Sequence, residues 1–218
     1  MVTPYYQDEW VTIYHGDCRK ILPELPKVDL VLTDPPYGIN YEGGNLAKWN
    51  VRKSRAPFKN SGGIVGDDGE LDTGFLFDYP RRLIWGFPYL YDGEASGWLV
   101  WVKHEAHSVK VIGTPVEMAS TTLWKSFRLI KCLWTGYLRE NGEYRFAHPT
   151  QKPQKVFDYA LTNYTQPDDL ILDPFLGSGT TCYCAKKLNR HSIGIEIEEK
   201  YCEIAAKRCS QSVMELNI

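Results

Sequence analysis

Leu170-Ile171-Leu172-Asp173-Pro174-Phe175-Leu176-Gly177-Ser178-Gly179-Thr180-Thr181 opens the stretch that decides the fold, and Ser192-Ile193-Gly194-Ile195-Glu196 closes it. Leu170 to Asp173 is a short apolar run of strand length, bounded by a glycine-rich turn. A helix is expected from about Thr180 to Leu188, then a second strand over Ser192 to Glu196 and a last helix over Glu198 to Arg208. Strands that alternate with helices indicate an α/β fold with a mostly parallel sheet. Gly177 and Gly179 let the backbone turn sharply and approach a ligand closely. The N-terminus of the following helix offers free N–H groups to an anionic group. Glu196, at the end of the second strand, is placed to accept hydrogen bonds from two ribose hydroxyls. Such a unit suits a dinucleotide or S-adenosylmethionine. Thr180-Thr181-Cys182 follows the Gly-Ser-Gly turn, so the third glycine of the dinucleotide fingerprint is missing. The Gly-Lys-Ser/Thr of a phosphate-binding P-loop is absent as well.

Towards the N-terminus, Val28 to Thr33 reads as a strand that stops at Asp34-Pro35-Pro36-Tyr37. Two prolines cannot continue a ladder, so the carboxylate of Asp34 sits at a strand's C-terminal end. Open α/β sheets bind ligands at that edge. Acceptors there suit an exocyclic amino group, whose lone pair is delocalised into its ring. The Asp34 carboxylate and the Pro35 carbonyl, aimed at the amine hydrogens, would make the nitrogen more nucleophilic. Asp34 need not be a strong base, because the proton leaves during or after transfer. Tyr37 offers a face on which a base taken out of a duplex can stack.

Further strands are expected at Thr12 to Tyr14, Arg82 to Trp85 and Trp98 to Val102, and a helix at Pro153 to Tyr164 opened by its proline. Pro115 to Thr122 reads equally well as a strand or a loop. The 218 residues suit one domain over 1–218, and 43% hydrophobic with 24% charged residues is a globular composition. Residues of about 40–78 are glycine-rich and weakly periodic and read as a mobile loop. That loop opens with a basic run (Lys48, Arg52, Lys53, Arg55 and Lys59) and continues into an acidic one from Asp67 to Asp78. The basic run is a candidate DNA contact, although the net charge of −2 does not announce a nucleic-acid binder. Six cysteines without a Cys-x-x-Cys pair disfavour a zinc or redox site, so no metal is expected, and free thiols fit a reducing cytoplasm. The sequence shows no signal peptide and no apolar run of membrane-spanning length.

Together these residues resemble the β-class of amino DNA methyltransferases. Asp34-Pro35-Pro36-Tyr37 looks like their catalytic motif, Asp173 to Thr181 like their cofactor loop, and His148-Pro149-Thr150-Gln151-Lys152-Pro153 like the segment before that loop. Leu83-Ile84-Trp85-Gly86 and Trp98-Leu99-Val100-Trp101 resemble strands of the same sheet. The resemblance implies a class I S-adenosylmethionine-dependent methyltransferase fold, a three-layer sandwich with a mostly parallel seven-stranded sheet in circularly permuted motif order. It implies transfer of a methyl group from S-adenosylmethionine, leaving S-adenosyl-L-homocysteine, to N6 of adenine in DNA, with the base flipped out. Asp17, in Gly16-Asp17, and Glu196 would hold the cofactor's adenine and ribose, with Cys18 and Ile197 beside them. Asp173, Pro174, Phe175, Gly177, Ser178, Gly179, Thr180 and Thr181 would line the cofactor together with Asp34. Thr150 and Lys152 would lie at its methionine end, where an ammonium suits a carboxylate.

Members acting on N4 of cytosine more often carry serine where this chain has Asp34, which favours adenine and keeps N4-cytosine as the alternative. A silent cofactor-binding subunit and an RNA methyltransferase are more distant readings. The chain departs from the family in the target-recognition segment, here reduced to about 123–147. Lys125 and Arg128, among aromatics such as Trp124 and Phe127, are its candidate DNA contacts. Tight sequence specificity would then depend on a homodimer or another partner.

Overall fold

A computed structural model describes residues 2–39, 65–67, 72–90, 92–104, 114–134, 139–140, 143–144 and 150–211. In chain order its strands are β1 (Tyr6–Gln7), β2 (Val11–His15), β3 (Leu30–Thr33), β4 (Arg82–Phe87), β5 (Gly97–Val102), β6 (Val116–Thr121), β7 (Ser126–Lys131), β8 (Leu170–Asp173) and β9 (His191–Glu196). The helices are α1 (Cys18–Ile21), α2 (Gln154–Tyr164), α3 (Thr180–Lys187) and α4 (Glu199–Ser210). All strands join one sheet in the order β1-β2-β9-β8-β3-β4-β6-β5-β7.

The central strands are continuously apolar because both of their faces are covered. Leu30 and Leu32 of β3 pack towards Val156, Phe157, Ala160 and Leu161 of α2 and Cys184 and Ala185 of α3. Val31, between them, faces the other side with Ile84, Leu172, Ile195, Ile21 of α1 and Leu76 of a short 3-10 helix (Gly74–Asp78). This is the three-layer α/β arrangement expected. α4 covers β2 and the cofactor turn through Cys202, Ala205 and Cys209. All six cysteines are buried free thiols.

β2, β9, β8, β3 and β4 run parallel. Their carboxyl ends, which carry the residues singled out by the sequence, therefore share one edge. β3 and β8, distant in the chain, are direct neighbours, so the two motifs meet at the middle of the sheet. β6 is antiparallel to both β4 and β5. Its first residues consequently lie at the same edge as the carboxyl ends of the others.

The sheet has nine strands where seven were expected. The additions are the two-residue β1, which extends the β2 edge, and β7, which extends the opposite one. β7 lies inside the expected target-recognition segment, so part of that segment is sheet edge. The ambiguous stretch Pro115 to Thr122 resolves into β6, because pairing on both sides supplies the ladder partners that its own sequence does not advertise. No described helix is long and apolar enough to cross a membrane.

Candidate active site

The edge formed by β3 and β8 is tied by a buried hydrogen bond: Thr33 Oγ1 donates to Asp173 Oδ1 at 2.6 Å. One residue beyond Thr33, Asp34 turns its carboxylate out of the strand end. The hydroxyl of Tyr37 donates to Asp34 Oδ1 at 2.6 Å, and Lys152 Nζ donates to Oδ2 at 2.5 Å. The ring of Tyr37 rests on the backbone of Gly86 in β4. A Cβ at Gly86 would lie 2.7 Å from that ring, at a φ of +114° that side chains rarely adopt. The Tyr37 ring also lies parallel to Tyr89, with 5.7 Å between centroids and 15° between planes. Buried Asp67 fixes the chain after the motif, accepting from the backbone N–H of Tyr37 at 3.0 Å and of Ile39 at 3.3 Å.

Lys152 is only 6% exposed, and its ammonium serves two carboxylates. Besides Asp34 it pairs with Glu117 of β6 at 3.1 Å, and Glu117 in turn pairs with Lys103 just beyond β5. Burial pushes the Asp34 carboxyl above its ordinary range, partly offset by Lys152 and reinforced by the charge of Glu117. Burial acts in the same direction on Glu117, but Lys152 and Lys103 outweigh it, so that carboxyl falls below its usual range. Burial opposes the charge on Lys152, yet Asp34 and Glu117 together hold it firmly protonated. The two carboxyls are thus pushed in opposite directions, Asp34 upwards and Glu117 downwards.

The cofactor turn is built by close approach. Gly179 has a φ of +79°, and a Cβ there would lie 2.8 Å from Ala205 Cβ and 2.9 Å from its Cα in α4. Gly177 N–H donates to Glu196 Oε2 at 2.8 Å, and Glu198 N–H donates to Oε1 at 2.8 Å. One donor on each oxygen leaves further lone pairs for a vicinal diol. Burial raises the Glu196 carboxyl, with these two N–H groups opposing. From α4, nearly fully buried Arg208 donates to Thr180 Oγ1 at 2.9 Å and Ser178 O at 3.3 Å, bracing the turn from behind.

Asp173 lies beneath the turn and accepts from Thr181 Oγ1 at 2.5 Å and Phe175 N–H at 3.1 Å as well as from Thr33. Burial pushes its carboxyl from 3.8 up to about 6, against these three donors. A carboxyl raised in the folded state favours the fold below its unfolded pKa, and that contribution is lost as pH rises through about 6. The melting temperature of Asp173→Asn relative to the parent is therefore expected to rise between about pH 4 and pH 7. Thermal melts across that range check it, and a variant that loses stability as pH rises would show that the ionised form is required.

The structure brings together most of the residues expected to form the site. Asp17 caps α1 at the end of β2, beside Glu196, whose carbonyl accepts from Gly16 N–H at 2.9 Å. The Asp17 carboxylate is held below its ordinary range mainly by its hydrogen bonds to Arg19. Cys18 is buried behind it, while Ile197 is 49% exposed at the rim. Pro174 and Ser178 are buried in the turn, Phe175 lies 6.3 Å from Phe75 between ring centroids, and Thr150 is half-buried just before Gln151 and Lys152. Lys152, expected at the methionine end, has its ammonium on the carboxylate of Asp34. Lys125 and Arg128 are exposed on the β7 edge away from this cluster, with the Arg128 guanidinium 5.5 Å from the Trp124 ring centroid and 5.8 Å from that of Tyr164. Lys48, Arg52, Lys53, Arg55, Lys59 and His148 lie outside the described residues. Sequence reasoning missed Glu117, Lys103, Asp67 as a backbone anchor, and Arg208. A charged residue inside the apolar pattern of α4 was a usable signal for Arg208. Among the described residues, no group of three or more His, Cys, Asp or Glu side chains is arranged to hold a metal.

Residues 92–207 match the N6/N4 methyltransferase family, described as DNA methylase. The chain is 28% identical over 97% of its length to the type II methyltransferase M2.LlaDCHI of Lactococcus lactis subsp. cremoris, covering 93% of that protein. It is 30% identical over 88% of its length to the type II methyltransferase M.BglII of Bacillus subtilis, covering 67% of it. Among solved structures, the M1.HpyAVI–SAM complex superposes with a TM-score of 0.60 at 22% identity, over 92% of this chain and all of that one. PvuII DNA methyltransferase, described as cytosine-N4-specific, superposes at 0.61 with 17% identity, over all of this chain and 91% of that one. These two similarities carry the fold. The family match spans more than half of the chain, including the cofactor turn and Glu196, and with M.BglII it shows that the chain belongs to the N6/N4 family of amino DNA methyltransferases.

Proposed function

We propose that this protein transfers a methyl group from S-adenosylmethionine to N6 of adenine in DNA. The observation that carries the reading is the junction of β3 and β8, where Thr33 and Asp173 lock the amine-acceptor motif to the cofactor turn. S-adenosylmethionine would supply an electrophilic methyl on its sulfonium. Glu196 would take the ribose hydroxyls, Asp17 the adenine, and the turn Gly177 to Thr181 would pass close against the ligand. Lys152, whose ammonium is taken up by Asp34, Glu117 and the Tyr37 hydroxyl, would serve the amine-acceptor motif. Names among the relatives support the cofactor, since M1.HpyAVI is described in complex with SAM.

Asp34 would accept a hydrogen of the target amine, turning the nitrogen lone pair towards the methyl. Tyr37 already donates to Oδ1 and Lys152 to Oδ2, so the amine meets an oxygen whose present donor must share it or give way. After transfer the nitrogen sheds its proton, and Asp34, hydrogen-bonded to the amine and raised in proton affinity by burial, would accept it. The Tyr37 ring would stack on the flipped base once exposed Tyr89, now parallel to it, gives way. The basic run from Lys48 to Lys59 would contact phosphates, whereas Arg128 and Lys125, at the amino end of β7 and so at the edge opposite Asp34, would meet only DNA that extends beyond the site.

Asp34 in place of serine favours adenine, and N4 of cytosine is the second reading because the amine chemistry is the same. The deciding test is a product assay. Protein is incubated with labelled S-adenosylmethionine and mixed-sequence duplex DNA, the DNA is digested to nucleosides, and the labelled nucleoside is identified by mass spectrometry. N6-methyladenine is expected. N4-methylcytosine would replace the base and keep the site, and no label in DNA would overturn the reading.

A further inference from the structure

The reaction as proposed uses Asp34, Tyr37 and Lys152 and gives no role to Glu117, a half-buried carboxylate at the same edge. Glu117, the second residue of β6, reaches the active edge because β6 runs against its neighbours. Four charges alternate from there to the reacting amine: Lys103, Glu117, Lys152 and Asp34. The Lys103 ammonium is also held 5.0 Å from the centroid of the Trp101 ring, which anchors the far end of the row. Lys152 Nζ is therefore one buried cation between two carboxylates, 2.5 Å from Asp34 and 3.1 Å from Glu117. An ammonium clamped on Asp34 Oδ2 competes with a target amine for that oxygen. A second carboxylate at ion-pair distance gives the ammonium somewhere to go without exposing it or leaving it unpaired.

We propose that Glu117, anchored by Lys103, is a positioning residue for methyl transfer: it draws the Lys152 ammonium off Asp34 Oδ2 when the target amino group arrives. This rests on the reading of Asp34 as the amine acceptor. Glu117 touches neither substrate nor cofactor and acts through Lys152. Its charge has a second consequence. Asp34 is faced by Tyr37 from its own loop, Lys152 from the segment before α2, Glu117 from β6 and Asp173 from β8, with Lys103 behind Glu117. The Glu117 charge raises the proton affinity of Asp34 within that set. Removing it lowers that affinity, so Asp34 stays ionised to lower pH.

Glu117→Gln keeps the shape and removes the charge. With the base that the parent methylates, its kcat is expected to fall about tenfold or more while the Kd for S-adenosylmethionine stays within about threefold. The acid limb of the kcat profile is expected to move to lower pH, a shift that a packing role would not produce. Glu117→Asp, which restores the charge, is expected to recover part of the loss and return the limb towards its parental position. A Gln variant with kcat within about twofold of the parent, or with an unmoved acid limb, overturns the proposal. Substrate-free protein carrying 13C-labelled lysine gives an arm independent of activity. The Lys103 and Lys152 resonances are expected to shift in Glu117→Gln, and an unmoved Lys152 resonance overturns the hold of Glu117 on Lys152. A parent that methylates neither adenine nor cytosine would overturn the reading of Asp34 instead, with the lysine spectra still deciding whether Glu117 positions Lys152.

Discussion

Asp34→Ala is expected to lower kcat for DNA amino methylation about 1,000-fold, within the range spanned by positioned acid–base groups. The variant loses the acceptor that orients the amine and the nearest site for its proton. It should keep its fold, because the Lys152 ammonium left behind still has Glu117 at 3.1 Å and is not stranded without a counter-ion. Cofactor affinity should change by less than about threefold, since the turn and Glu196 are untouched. Single-turnover methylation with labelled S-adenosylmethionine measures the first quantity and calorimetric titration the second. Retention of parental activity would remove Asp34 from the mechanism. A matching loss of cofactor binding would mean that Asp34 holds the ligand and not the amine.

Glu196→Ala is expected to do the opposite. Its carboxylate is buried at the end of β9 and organises the turn by accepting from Gly177 N–H and Glu198 N–H. Hydrogen bonds to a charged acceptor contribute about 1.5–3 kcal/mol each. Loss of two to a ribose diol then weakens S-adenosylmethionine and S-adenosyl-L-homocysteine binding by about 100-fold or more. At saturating cofactor, kcat should stay within about tenfold of the parent, because the Asp34–Tyr37–Lys152 cluster is intact. Kd and kcat from the two variants side by side separate a ligand-holding carboxylate from a reaction-promoting one. A Glu196→Ala protein with parental affinity would move the ribose site elsewhere.

The success and the failures of reading this sequence have physical causes. Strand β8, the Gly177–Gly179 turn, α3 and β9 were legible because they form a continuous unit in which apolar runs, glycines and the terminal acid occur in chain order. β3 and Asp34 were legible because two prolines end a strand unmistakably. β7 was not, since its exposed Phe127, Arg128 and Leu129 carry no alternation of buried and solvated faces. Glu117 was not, because nothing local distinguishes an acid at a strand start from an ordinary surface charge. Lys152 was expected at the cofactor's methionine end from the resemblance, and its sharing between two carboxylates was invisible, since the second lies on another strand.

The sequence by itself determined the side chains whose chemistry suits a ligand and an amine, because such chemistry resides in single side chains and in turns a few residues long. Tertiary structure alone decided how those residues are coupled. The parallel pairing of β3 with β8 brought Asp34 and Asp173 to one edge, and the reversed direction of β6 carried Glu117 to the same edge. Strand order and direction are set by how whole faces bury against one another. That information is spread over the entire chain and is not written at any one position.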